Sequence, residues 1–229
     1  MSEYRQTLLT GFDAFGRVVS NPSARLLKRF AGQVIGDQLI TTCLLPVSYS
    51  HAPIYMEMAL RAGGKNGTPF ENVFMLGVAD NETKWRVERV GRNANGSVPD
   101  IEGCVHENLI SREAPAELIS TLPVKELVLA LEAVGLPVCE SQSAGDYLCN
   151  FIFFHTLWNL QLQGSETKVG FLHIPADVQT FAESDLNEKA FSLEDHALAI
   201  EAVLTVMALE FDPNADTSFA TERVEFLID

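Results

Sequence analysis

A cysteine, a histidine and a carboxylate, the three types a nucleophilic hydrolase needs, stand in distinctive segments of this 229-residue chain. Cys149 lies in Ser143-Ala144-Gly145-Asp146-Tyr147-Leu148-Cys149-Asn150, at the opening of the apolar helical run FIFFHTLWNL. A helix that is apolar nearly all round is buried. A sulfur in its first turns feels the positive end of the helix dipole, where exposed amides favour a thiolate and can hold an oxyanion. The same position equally suits a small buried hydrophobe, the commoner fate of a free cysteine. His173, in Gly170-Phe171-Leu172-His173-Ile174-Pro175, closes an apolar strand, either as a general base or as a core histidine satisfied by one backbone bond. Glu88, in Trp85-Arg86-Val87-Glu88-Arg89-Val90, is either half of a surface ion pair with Arg86 or Arg89 or the acid that orients an imidazole. Phe12 and Phe15, bracketed by glycines in Gly11-Phe12-Asp13-Ala14-Phe15-Gly16, either anchor a loop to the core or wall a small apolar pocket.

The elements that must position these residues alternate between strand and helix. Thr7 to Phe12, Gln38 to Val47, Asn72 to Ala79, Leu136 to Glu140 and Lys168 to Ile174 read as strands, several of them apolar on both faces as buried parallel strands are. Helices are expected over Pro22 to Phe30, Ala52 to Ala62, Ala144 to Leu160 and Leu193 to Glu210. A further helical stretch is expected within Pro115 to Val134, interrupted at Pro123. Ser20 or Asn21 is the expected cap of the first helix, with Pro22 at its first position. This alternation predicts a three-layer α/β/α sandwich around a mostly parallel, twisted sheet. The polar, turn-rich stretch from Asp80 to Glu107 resists assignment, and loops that long are often functional. In such sheets ligands sit beyond the carboxyl ends of the strands, where Gly11-Phe12, Gly77-Val78-Ala79 and His173 all fall.

Composition narrows the function classes. A chain of this length with 47% hydrophobic residues can bury one sizeable core, and one domain over residues 1–229 is expected. The 31 acidic residues against 16 basic ones give a net charge of −15 that repels phosphate backbones and anionic lipid, so neither nucleic acid nor a membrane surface is an expected partner. No 18-residue apolar run and no signal-like start is present. Cys43, Cys104, Cys139 and Cys149 match no zinc spacing and no dense disulfide frame, so reduced thiols in the cytoplasm are expected, with no metal.

Taken in order, four segments resemble the pyroglutamyl peptidase I family, also called pyrrolidone-carboxylate peptidases. LLTGFDAFGRVVSNPS is similar to its N-terminal G-F-x-P-F-G…N-P-S segment. GVADNETKWRVERVGRN is similar to its loop carrying the acid. SQSAGDYLCN is similar to its nucleophile motif, and GFLHIP to its histidine strand. The resemblance runs from about Leu8 to Pro175. It implies Cys149 as nucleophile, His173 as general base and Glu88 as the acid of a triad. It further implies Phe12 and Phe15 around a pyrrolidone ring, Asn21 near that pocket and Val78 at a position many members fill with glutamine. The implied protein is an α/β/α cysteine peptidase with no cofactor, assembled as a homotetramer, that removes a pyroglutamyl residue from blocked peptide N-termini. Ala14, Val78, Glu82, Gly91 and the run Asn93 to Pro99 depart from the family pattern, in and beside the loop of the acid. The departures leave two alternatives open: a related cysteine amidohydrolase for another blocked N-terminus, and a non-catalytic peptide-binding homologue.

Overall fold

The computed structural model describes residues 4–106, 108–182 and 191–209. Along the chain run β1 (Arg5–Phe12), α1 (Pro22–Phe30), β2 (Val34–Ile35), β3 (Gln38–Leu45), α2 (Ala52–Ala62) and β4 (Asn72–Ala79). There follow β5 (Trp85–Glu88), β6 (Val90–Arg92), β7 (Glu117–Ile119), α3 (Val124–Ala133), β8 (Val138–Ser141), α4 (Leu148–Leu162), β9 (Lys168–Pro175) and α5 (Leu193–Leu209). Seven strands form one sheet in the order β2-β3-β1-β4-β9-β5-β8, and β6 pairs with β7 in a separate ribbon. The centre, β3-β1-β4-β9, is parallel; β2 is antiparallel to β3, and β5 runs antiparallel to β9 but parallel to β8.

The central strands are apolar on both faces because both faces are covered. Leu9, Phe74, Leu76, Leu172 and Ile174 point to one layer, where α1, α3 and α5 supply Phe30, Leu127, Ile200 and Val203. Leu8, Val73, Met75, Val169 and Phe171 point to the other, where α2 and α4 supply Met56, Phe151 and Ile152. The result is the expected α/β/α sandwich. Asn21 caps α1, its side chain accepting from the Ser23 amide, and Lys28 and Arg29 sit in the last turn. Among the described residues no helix is long and apolar enough to cross a membrane.

Several expected boundaries move, each for a local reason. The unassigned Asp80 to Glu107 stretch contains β5 and β6. In β5 the apolar Trp85 and Val87 belong to the α1/α3/α5 core while Arg86 and Glu88 face the other way, a period-two pattern hidden by charges on a buried face. The helix expected from Ala144 begins at Leu148. Gly145 takes a positive φ of 84° and its amide is accepted by Ser143 Oγ, so residues 144–147 form a turn instead. Pro123 does not interrupt a helix but caps α3, and Glu117–Ile119 before it is a strand. The strands expected to Val47 and from Leu136 are β3, ending at Leu45, and β8, Val138–Ser141. Glu210, the expected end of the last helix, lies outside the described residues.

His196 on α5 is a test of this packing. Its ring has no exposed surface, neither ring nitrogen has a hydrogen-bond partner, and it packs against Trp85 at 5.3 Å between centroids. Burial pushes its pKa down to about 4, against the pull of Asp177 and Asp195 and with the help of Arg25. A folded pKa below the unfolded one gives stability that is complete above pH ~6.5 and is lost as pH falls toward 4. His196→Leu should therefore flatten acid destabilisation in this window by up to about 3 kcal/mol, measured by denaturant unfolding at pH 7 and pH 4. An identical pH slope in both proteins would contradict this account.

Candidate active site

Strand alternation decides which side chains share a face. β4 and β9 pair in parallel with Gly77 beside His173, and β5 crosses β9 antiparallel with Arg86 opposite His173 and Glu88 opposite Phe171. Gly77, Arg86, Glu88, Phe171 and His173 therefore line one face, the one covered by α4. Cys149 is the second residue of α4 and packs at the edge of the same core cluster.

Gly77 makes this meeting possible. A β-carbon placed there would lie 2.8 Å from Cys149 Sγ and 2.8 Å from the Phe171 ring, closer than atoms approach. The missing side chain is the space the sulfur occupies. His173 is 6% exposed and Glu88 has no exposed surface. His173 Nδ1 lies 2.7 Å from Glu88 Oε1, which leaves Nε2 free to face the neighbouring Cys149 sulfur. Burial works to lower the pKa of the ring. The negative charge and hydrogen bond of Cys149, then the hydrogen bond and charge of Glu88, outweigh it and push the His173 pKa up to about 9. The arrangement can hold a proton on the imidazole beside a sulfur nucleophile at neutral pH.

The surface ion pair considered for Glu88 is thereby corrected. The carboxylate is fully buried; Arg86 does approach it, with Nε 3.3 Å from Oε1, but Arg89 pairs with Glu140 instead. The correction follows from parity: residues 86 and 88 share a face, and 89 points away.

The nucleophile helix opens without a side-chain cap at Tyr147. Amides in the first turn of a helix have no intrahelical acceptor, so those beside Cys149 can donate to a developing oxyanion. Asn150, completely buried, fixes this turn: Oδ1 accepts from the Arg92 amide at 2.8 Å and Nδ2 donates to the carbonyls of Arg92 at 2.9 Å and Ala94 at 2.8 Å.

The other expected site residues divide. Phe12 is a core residue, 3% exposed, and Phe15 is partly exposed with its ring 6.5 Å from Tyr147; both pack in the cluster that Cys149 borders. Asn21 Nδ2 donates to the Asp13 carbonyl at 3.1 Å, while Oδ1 accepts from Ser23 N and Oγ. It ties the Phe12–Phe15 loop to α1. Val78 is buried, and alternation along β4 puts it on the face opposite Gly77, so the structure does not bring its side chain to Cys149.

A family model for pyroglutamyl peptidases matches residues 5–210 of the chain. The chain belongs to the pyroglutamyl peptidase family. It is 32% identical over 208 residues to the pyrrolidone-carboxylate peptidase of Thermococcus litoralis, covering 88% of this chain and 92% of that protein. The pyrrolidone-carboxylate peptidase of Cupriavidus pinatubonensis is also 32% identical, over 212 residues, 91% and 95% of the two chains. The solved pyrrolidone carboxyl peptidase of Thermococcus litoralis superposes with a TM-score of 0.83 at 31% identity, over 93% of this chain and 97% of that one. As a pyroglutamyl peptidase family member, the chain is a peptidase.

Sequence reasoning missed Gly77 as the source of space, Asn150 as the lock on the helix, and Tyr49. The Tyr49 ring meets Tyr147 and Phe151 edge-on at 5.9 and 5.1 Å, and burial, then the charges of Tyr147, Asp100, Asp146 and Cys149, push its pKa to about 12. Nothing in the segment around Tyr49 signals this. The departing run Asn93 to Pro99 packs directly on the nucleophile turn. The Gly96 amide donates to the Asp146 carbonyl at 2.6 Å, and Tyr147 Oη donates to the Pro99 carbonyl at 3.2 Å. A separate cavity of about 250 Å³ lies between α2 and α4, lined by Met56, Glu57, Arg61, His155 and Asn159. It holds no cysteine, so the chemistry of the residues, not concavity, locates the site. No cluster of three or more potential metal ligands occurs among the described residues.

Gly77→Ala should slow alkylation of Cys149 by iodoacetamide about tenfold or more, a change of roughly 1.4 kcal/mol in barrier, because the new methyl displaces the sulfur from His173. Mass mapping of the Cys149 peptide reads the rate, and labelling at the wild-type rate would refute the steric assignment.

Proposed function

We propose that this protein hydrolyses the amide bond after an N-terminal pyroglutamyl residue through Cys149, His173 and Glu88 and a thioester intermediate. The observation that carries the reading is His173 held at 2.7 Å by a fully buried Glu88, with the Cys149 sulfur packed over Gly77 on the strand position beside it, in a chain of this family.

Cys149, its proton taken by His173, attacks the pyroglutamyl carbonyl carbon. The tetrahedral oxyanion takes hydrogen bonds from backbone amides at the start of α4. As the carbon–nitrogen bond breaks, the His173 imidazolium protonates the leaving amine, and a peptide with a free N-terminus departs. The ring, now neutral, takes a proton from water; the hydroxide attacks the thioester, pyroglutamate leaves, and the sulfur regains its partner cation. Glu88 does not exchange protons with substrate; it fixes the tautomer and supports the cation. Phe12 and Phe15 belong to the proposed lining of the ring pocket, with Asn21 holding its loop; Val78, on the far face of β4, does not. A small uncharged pocket suits a lactam, whereas a free amino group would arrive charged and lose several kcal/mol on burial without a partner.

Assembly as a homotetramer and residence in the cytoplasm are part of the same proposal. Exposed Ile54, Tyr55 and Met58 on α2 supply apolar surface for an interface. Four free thiols suit a reducing compartment. Light scattering checks the oligomer.

Wild-type enzyme should release aminomethylcoumarin from its pyroglutamyl amide and stop after iodoacetamide treatment. Another blocking group cleaved more than about tenfold faster would sink the substrate assignment. Cys149→Ala and His173→Ala should fold normally and lose turnover, and Glu88→Gln should retain weak activity, lowered by roughly a hundredfold or more.

The rate should also fall as pH rises past about 9, where His173 loses the proton destined for the leaving amine. In Glu88→Gln that alkaline limb should move to lower pH, because one of the interactions raising the ring's pKa is gone. A limb that stays in place would remove Glu88 from the mechanism.

A further inference from the structure

We propose that Arg86 is a positioning residue for this reaction, its guanidinium joining the buried Glu88 to the Ser141–Gly145 turn that delivers Cys149 to His173. The inference rests on the hydrolytic role given above to those three residues.

Four contacts of one side chain carry it. Arg86 lies opposite His173 in the β5–β9 register and two residues before Glu88, so all three share a face. Its Nε is 3.3 Å from Glu88 Oε1, the oxygen that also holds His173 Nδ1 at 2.7 Å. Its Nη2 donates to Ser141 Oγ at 2.8 Å and to the Ser143 carbonyl at 2.6 Å. Its Nη1 donates outward to Glu82 at 2.9 Å. Ser141 ends β8, and Ser143 leads through the positive-φ Gly145 into α4. A planar guanidinium can bind three separated acceptors at fixed angles, whereas a lysine ammonium is a single point.

Two physical effects follow. First, the second Glu88 oxygen, Oε2, is buried without a hydrogen bond, so the carboxylate depends on His173 and Arg86 for compensation. Second, the Arg86 cation opposes a second cation on His173. The other charged groups nearby are Glu82, itself engaged by Arg86, Cys149 beyond the imidazole, and Glu140 of β8, which is taken up by Arg89. Removing the guanidinium should loosen the nucleophile turn and at the same time make the imidazolium easier to form.

The test is Arg86→Met, with Arg86→Lys beside it. Arg86→Met should lower kcat about tenfold or more with KM within about threefold, move the alkaline limb to higher pH, and slow Cys149 alkylation at pH 7 by about fivefold. Arg86→Lys should return the limb toward its original position, by restoring charge, while recovering only part of kcat, lacking the fork. Wild-type kcat and limb in Arg86→Met would overturn the proposal, as would a loss of kcat with limb and alkylation unchanged. If Arg86→Met does not fold by circular dichroism, Ser141→Ala decides: removal of one acceptor should slow Cys149 alkylation about twofold or more, and an unchanged rate overturns the proposal. Alkylation, mapped on the Cys149 peptide, needs no substrate, so a wild-type enzyme inactive on pyroglutamyl amides would refute the substrate and leave the Arg86 question answerable.

Discussion

The carboxylate of Glu88 has no contact with water, and most of the site's geometry is what such a charge demands. Taking a carboxylate out of water costs several kcal/mol unless cations and hydrogen-bond donors replace the solvent. Here one oxygen faces both an imidazole and a guanidinium. Neither partner is near in sequence to α4, and His173 is 85 residues from Glu88. The fold supplies them by inserting β5 antiparallel beside β9, at the point where the parallel run of the sheet ends. In that orientation residue 86 lies opposite residue 173 and residue 88 opposite residue 171, all on the α4 side. The antiparallel strand in a mostly parallel sheet is thus tied to the buried acid.

The second constraint is the absence of a side chain at Gly77. A sulfur on a helix and an imidazole on a strand normally stand apart by the thickness of the packed side chains between the layers. By leaving the position beside His173 empty, β4 lets Sγ descend onto the sheet. Gly91 repeats the device on β6, where a β-carbon would come within 3.3 Å of the Phe154 Cα, so α4 is approached closely at a second place. Asn150 then closes the gap with three hydrogen bonds to residues 92 and 94. Close approach, not added apolar area, fixes where the nucleophile sits.

These two constraints explain what could be read from the residues alone. Continuous apolar runs such as Asn72 to Ala79 and Lys168 to Ile174 give the central strands, because burial on both faces leaves no ambiguity of period. The expected start of α4 falls at Ala144 because alanine is a good helix former, whereas Gly145, with its positive φ, keeps the helix from starting there. The local residues leave Glu88 either half of a surface ion pair or an orienting acid, because two arginines flank it; which of them it meets depends on strand parity, and the charges on β5 hide its period. Asn150 carried no local signal, since its partners are backbone groups far away in the chain. Cys149 and His173 are legible as types from their own segments, and only the family resemblance pairs them.

The departing segment Asn93 to Pro99 shares one anchor with these constraints, the Ala94 carbonyl held by Asn150, and is otherwise folded by its own bonds. Asn93 folds it from within, accepting from the Ile110 and Ser111 amides and donating to the carbonyls of Ser111 and Ala114. Asp100 does the same one turn on, accepting from the amides of Tyr49, Glu102 and Cys104; these bonds and that of Ser48 hold its pKa down although burial works to raise it. The segment touches the nucleophile turn through the Ala94 carbonyl at Asn150, the Gly96 amide at Asp146 and the Pro99 carbonyl at Tyr147. Changes here therefore alter the surroundings of Tyr147 and, through it, of Phe15, while the sulfur, imidazole and carboxylate stay where β4, β9 and β5 put them. Val98, Ile101 and Val105, in and just after this segment, are exposed apolar residues. Variation in this loop can reshape what surrounds the reacting bond without moving the groups that break it.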